Sequence, residues 1–376
     1  MVFSRSGATV SRNKLPFVST VAPAQSGMQI QENFSLRPYN TFRVDAKAKY
    51  FSTFSNVEQL TELITHSPLT THDSRLTTFI LGGGSNILFT KDFDGIVLKN
   101  EVKGIDKIKE DNESIYVRAG AGENWHQFVM FCIKNNWAGV ENLSLIPGNV
   151  GATPMQNIGA YGVEIKEVFQ ELKAFHLHEK INYTFGLNDC QFGYRDSVFK
   201  NKYKDQFVIT EVTYRLKKTP AYNTSYGAVS QELEKMGVTD LSIAAISQAV
   251  INIRSSKLPD PAVIGNAGSF FKNPSISKEQ FEKLRSQFPN IVGYKNDNGT
   301  MKLAAGWLIE QCGPEKIGTS WKGYRKGDAG CHQKQALVLV NYGNANGMEI
   351  YDLSEEIRQS VKMKFAVNLE REVNLI

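Results

Sequence analysis

Ile146-Pro147-Gly148-Asn149-Val150-Gly151-Ala152-Thr153-Pro154-Met155-Gln156-Asn157-Ile158-Gly159-Ala160-Tyr161-Gly162 is the stretch on which the fold turns. It is a long irregular run, and such runs inside a compact domain are usually functional or disordered. This one carries too many small apolar residues for a disordered linker. Its Gly, Ala, Asn, Gln and Thr residues offer backbone and amide groups suited to wrapping a pyrophosphate and a polar heterocycle. Upstream, a strand expected over residues 77–81 runs into Gly82-Gly83-Gly84-Ser85-Asn86, followed by the apolar run Ile87-Leu88-Phe89. A glycine turn at a strand end lets N–H groups converge on phosphate oxygens, with Ser85 and Asn86 adding side-chain donors. Read alone, it is a tight hairpin as often as a phosphate site, and it lacks the Gly-x-Gly-x-x-Gly fingerprint that opens a helix. Two such loops in neighbouring strand-rich regions imply one large, phosphate-bearing cofactor.

The flanking periodicity supplies the frame. Val57, Leu60, Leu63 and Ile64 follow helical spacing, and residues 114–119 read as a strand. Trp125, Phe128, Val129, Cys132 and Ile133 form one helix face, and Ile243, Ile246, Val250 and Ile253 another, with Ser242 as N-cap. Ile350, Leu353, Ile357, Val361 and Phe365 mark a last amphipathic helix that aims the C-terminal strand. A chain of 376 residues exceeds one ordinary core and suits two or three domains. The net charge of +5 is mild and ungathered, which permits anionic ligands and gives no argument for nucleic acid. Cys132, Cys190, Cys312 and Cys331 show no zinc or disulfide spacing and read as reduced packing thiols of a cytoplasmic protein. No apolar run approaches the roughly 20 residues that span a bilayer, and His176 and His178 have no third ligand near them, so no metal is expected. Residues 1–27 carry Arg5, Arg12 and Lys14 and no acidic residue; a transit peptide fits this composition, as do a disordered tail and sequence upstream of a start at Met28, and the last two are favoured.

Chemistry concentrates in Gly265-Asn266-Ala267-Gly268-Ser269-Phe270-Phe271-Lys272-Asn273-Pro274, where glycines and aromatics frame a serine hydroxyl. Alone, this is more often a strand edge with a tight turn. Taken in order with the two cofactor loops and Gly193-Tyr194-Arg195-Asp196-Ser197, however, the chain from about Asn33 to its C-terminus resembles the UDP-N-acetylenolpyruvoylglucosamine reductase family. These are flavoenzymes of peptidoglycan precursor synthesis, and the tyrosine-bearing loop places the resemblance with their type I subgroup. The resemblance implies an α+β fold of three domains. An FAD-binding pair of the vanillyl-alcohol-oxidase type would occupy residues 28–100 and 101–258, and a substrate domain residues 259–376, its last strand returning to the active site.

The resemblance also implies roles. FAD, held non-covalently, would rest on Gly82, Gly83, Gly84, Ser85, Asn86, Pro147, Gly148, Gly151, Ala152, Gln156, Asn157 and Gly159. NADPH would be the co-substrate, and UDP-N-acetylglucosamine enolpyruvate the substrate, reduced to UDP-N-acetylmuramate by hydride from the flavin. Arg195 and Glu372 would stabilise the enolate, and Ser269 would give the proton. Tyr226, Arg254, Lys257, Asn273 and Gln335 would hold the nucleotide sugar. Some relatives carry an arginine where this chain has Asn374. A monomer in the cytoplasm, without membrane or nucleic-acid partners, is expected. An FAD-dependent oxidase or dehydrogenase of another substrate would keep both loops without needing Arg195, Ser269 and Glu372 together. A non-catalytic nucleotide-sugar-binding flavoprotein would need an inactive centre.

Overall fold

The computed structural model describes residues 29–65, 76–314 and 320–376, so the tail over residues 1–27 lies outside it. Helices and strands are mixed in the expected α+β manner. Among the described residues, one unit comprises residues 29–33, 49–83 and 94–254; the other comprises residues 34–48, 84–93 and 255–376.

In the first unit a four-stranded sheet has the order Gln31–Ser35, Lys47–Phe54, Phe93–Asn100, Thr77–Leu81. Ile96 and Leu98 cluster with Leu60 and Leu63 of the helix Val57–Thr65, which is the face its spacing predicts. Thr77–Leu81 runs parallel to Phe93–Asn100 with Leu81 opposite Lys99, so the glycine turn leaves from strand C-terminal ends, where open sheets bind ligands. A second, antiparallel sheet has the order Asn182–Gly186, Phe169–His176, Phe207–Lys217, Ser114–Gly120, Ile105–Glu110. Its core forms where the helix Trp125–Lys134 sets Trp125 and Phe128 on Tyr214, with ring centroids 5.8 and 4.8 Å away. Asn124 starts that helix by accepting the Gln127 N–H.

That core fixes the long irregular run. Tyr214 is fully buried, and its hydroxyl shares a hydrogen bond with Thr153 at 2.7 Å. The Gly151 N–H donates to Ala121 at 2.9 Å, and residues 150–152 form one 3₁₀ turn. Gly159–Ala160 then pairs with Val163–Glu164. Irregular backbone is tolerated here because each of these groups finds a partner.

In the second unit the strands Gly265–Ser269, Val338–Asn341, Ala329–Cys331 and Arg325–Lys326 form an antiparallel sheet in that order. The helix Gly347–Phe365 buries Ile350, Leu353, Ile357, Val361 and Phe365, the five residues its period marks, and Asn346 with Glu349 closes a capping box at its start. Asn374–Leu375 pairs in parallel with Ile87–Leu88, and the Ile376 carbonyl accepts from the Thr90 N–H at 2.9 Å. No helix among the described residues is long and apolar enough to cross a membrane.

The three glycines of the turn differ in what surrounds them. A Cβ on Gly83 would lie 2.8 Å from the Gly148 Cα, and one on Gly84, at φ +63°, would strike the Tyr39 carbonyl, whereas Gly82 has nothing within 4 Å. Gly84→Ala should therefore destabilise by roughly 2–4 kcal/mol and Gly82→Ala by no more than about 0.5 kcal/mol. Urea unfolding of the two variants measures this, and equal midpoints would contradict the packing.

Candidate active site

The two cofactor loops meet backbone to backbone. Gly83 and Gly148 are in contact range, the latter at φ +115°, a conformation that favours glycine. Among the described residues neither N–H has a hydrogen-bond acceptor. Unpaired donors on two touching loops, beside the open space at Gly82, form a cradle that an anion satisfies. This donor set fits the diphosphate of FAD.

The same unit gathers a cationic cluster. Arg195 occupies the left-handed region at φ +53° in a turn closed by Gly193 and Asp196, and its guanidinium donates to the Gly159 carbonyl at 2.6 Å. Asp196 accepts instead from the Asn201 amide at 2.9 and 3.0 Å. Arg254, near the end of the helix Ile243–Lys257, donates through Nε to the Leu145 carbonyl at 3.2 Å and lies near the Tyr161 hydroxyl. Burial lowers the Arg254 pKa; Tyr161 offsets this and the like charge of Arg195 adds to it. No carboxylate pairs with Arg254 among the described residues. Burial raises the Tyr161 pKa in turn. Tyr226, half exposed ahead of the helix Gly227–Lys235, sets its ring edge-on to Tyr161 at 5.3 Å. A guanidinium without a carboxylate, as on Arg254, forms a site that calls for an anion.

In the second unit Ser269 ends its strand, just after Gly268 at φ +70°. Among the described residues nothing hydrogen-bonds its hydroxyl. The next residues continue into a second pairing: Phe271 bridges Arg371, the Glu372 N–H donates to the Phe270 carbonyl and the Lys272 N–H to the Glu370 carbonyl, both at 2.8 Å. This pairing brings Glu372 to the chain beside Ser269. Asn86 joins them, donating to the Glu372 carbonyl at 3.2 Å and accepting from the Asn374 amide at 2.9 Å. Lys272 forms an ion pair with Glu370. Asn374 thus has a task of its own on the glycine turn.

The remaining sequence-derived candidates take varied places. Asn157 is fully buried at φ +45°, its amide donating to Glu164 and Gly193 and accepting from the Lys166 N–H. Asn273 accepts the Ala305 N–H at 2.9 Å, at the start of the helix Ala305–Glu310, and Gln335 accepts the Leu337 N–H at 3.3 Å. Lys257 is exposed at its helix end; Ala152 is exposed, while Gln156, Ser85 and Gly159 are half-buried and Pro147 is exposed. Sequence reading missed Tyr161 and Asn142. The first is the one aromatic in a run of small residues, a usable signal. The second, whose amide donates to the Tyr161 and Asn223 carbonyls at 3.0 and 2.9 Å, carries none.

Comparison with known proteins places this arrangement. A family model described as the C-terminal domain of UDP-N-acetylenolpyruvoylglucosamine reductase matches residues 260–376, and an FAD binding domain model matches residues 56–177. The UDP-N-acetylenolpyruvoylglucosamine reductase of Flavobacterium johnsoniae is 49% identical over 350 residues, covering 93% of this chain and 100% of that one. Its counterpart in Amoebophilus asiaticus is 50% identical over 349 residues with the same coverage. The crystal structure of the Thermus caldophilus reductase is 22% identical with a TM-score of 0.63, over 93% of this chain and 99% of that one, and shows the fold. With an FAD-binding domain and near-complete relatives at half identity, this chain belongs to the UDP-N-acetylenolpyruvoylglucosamine reductase family and is a flavin-dependent oxidoreductase.

Proposed function

We propose that the chain reduces the enolpyruvyl double bond of UDP-N-acetylglucosamine enolpyruvate to UDP-N-acetylmuramate, with NADPH as electron source. The observation that carries this reading is the unpartnered Ser269 hydroxyl, one residue from the backbone bond that ties Phe270 to Glu372. FAD would sit non-covalently on residues 82–86 and on Pro147, Gly148, Gly151, Ala152, Gln156, Asn157 and Gly159. When bound, it supplies a hydride donor that NADPH reloads. The division into residues 28–100, 101–258 and 259–376, a monomeric state and a cytoplasmic setting belong to the same reading.

The residues divide the remaining work. Hydride added to the carbon remote from the carboxylate drives the electron pair of the double bond toward that carboxylate. Arg195 offers a permanent planar charge for it, and Glu372 a second polarising group; donors preorganised at developing charge usually form the largest catalytic contribution. The electron pair returns to the carbon bearing the ether oxygen and takes the Ser269 proton there, and solvent restores the serine. Serine is a poor acid, so the charge must collapse as the proton moves. Tyr226, Arg254, Lys257, Asn273 and Gln335 would hold the nucleotide sugar, with Arg254 on one of its anionic groups.

Two measurements test this. Ser269→Ala should leave flavin bleaching by NADPH within about twofold of the parent while slowing reoxidation by the sugar nucleotide roughly 10²–10⁴-fold; equal losses in both half-reactions would make Ser269 structural. Gly82→Val fills the open space beside the cradle and should weaken FAD retention by about tenfold or more, a loss of about 1.4 kcal/mol. Flavin absorbance after gel filtration reads this, and full retention would place the cofactor elsewhere.

A further inference from the structure

We propose that His126 is a positioning residue for Arg254, acting through the Leu145 peptide that lies between them. Leu145 is a β-unbranched, non-glycine residue held at φ +59°, a left-handed conformation that costs roughly 1 kcal/mol or more and persists only where its surroundings enforce it. Those surroundings are specific. The Leu145 N–H donates to Nδ1 of His126 at 3.0 Å, and the Leu145 carbonyl accepts from Nε of Arg254 at 3.2 Å. The turn carrying Leu145 is gripped from both sides. On one, the Trp125 indole donates to the Leu143 carbonyl at 2.9 Å, beside His126 on the helix Trp125–Lys134. On the other, Ser144 bonds Ser247 at 2.8 Å, and Ser247 lies seven residues before Arg254, on the same face of its helix.

The direction of the histidine bond fixes its state. An Nδ1 that accepts a backbone N–H leaves the ring proton on Nε2, and the ring is neutral. Burial and the Arg254 charge both lower the His126 pKa, in keeping with that state. A neutral imidazole is needed, since a cation here would lose the Leu145 bond and repel Arg254. His126 thus sets the Leu145 carbonyl, and that carbonyl sets the plane of a guanidinium that no carboxylate orients among the described residues. A planar donor fork misaimed by a small rotation loses its bidentate grip on an anion.

The inference rests on the reading of Arg254 as a contact to an anionic group of the nucleotide sugar, and the experiment separates the two. Asparagine can place its Oδ1 near the position of Nδ1, whereas glutamine places its acceptor near that of Nε2. In steady-state kinetics of the FAD-loaded enzyme, His126→Gln should raise KM for UDP-N-acetylglucosamine enolpyruvate about tenfold with kcat within about twofold. His126→Asn should restore KM to within about twofold of the parent. Arg254→Gln should raise KM at least as much, and the double variant should be no worse than Arg254→Gln alone. If Arg254→Gln raises KM while His126→Gln and His126→Asn behave alike, or while the two losses add, the inference falls and the reading of Arg254 stands. If Arg254→Gln leaves KM unchanged, both fall together. A His126→Gln protein that does not fold or retain flavin assigns His126 to the scaffold and also overturns the inference.

Discussion

The contact of Gly83 against Gly148 is the constraint on which the first unit is organised. Two loops about 65 residues apart in sequence can touch backbone to backbone only where neither carries a side chain. Everything that presents those glycines follows from it. The parallel pair of Thr77–Leu81 and Phe93–Asn100 delivers one loop, and the Trp125, Phe128 and Tyr214 core pins the other through Thr153. The reward for leaving two backbone N–H groups without protein acceptors is a site for an anion, and that is the contribution a dinucleotide cofactor requires of its protein.

Charge repeats the theme at the other end of the long loop. A half-buried arginine without a carboxylate is costly, and a second arginine nearby adds to the cost. For Arg254 the chain supplies a neutral acceptor, the Leu145 carbonyl, with the Tyr161 hydroxyl nearby. Neutral acceptors orient a guanidinium without cancelling its charge, so the electrostatic demand is left for a ligand to meet. In the second unit the economy is different. Lys272 and Glu370 neutralise one another, and Ser269, three residues before Lys272, keeps an uncommitted hydroxyl.

Local pattern made much of this legible. The five apolar residues of the last helix, the Ser242 cap, which accepts the Ala245 N–H at 3.1 Å, and the strand over residues 77–81 all follow from spacing or cap chemistry. The glycine turn taken alone reads as a hairpin as often as a phosphate site, and only together with the long loop does it point to a cofactor. What spacing does not carry is the partner across space. Thr153 meets Tyr214 at a separation of 61 residues, and Leu145 meets Arg254 at 109, so neither the anchoring of the loop nor the aim of the arginine has a sequence signature. Asn157 shows the same limit in reverse. Its residue type suits a ligand contact, yet its side chain is spent on three internal bonds, so any share in holding a cofactor comes through backbone and shape.

The bond between Asn86 and Asn374 spans 288 residues of chain. Synthesis delivers Asn86 well before its strand partner, so the far side of the glycine turn waits for the 288 residues between them. Closing so long a loop costs little more free energy than closing a shorter one, but it comes late in time. The first unit can assemble its core while the chain is still growing, and the turn takes its final form only as the C-terminal strand arrives. The far side of the glycine turn therefore depends on a strand that local folding around Asn86 cannot supply.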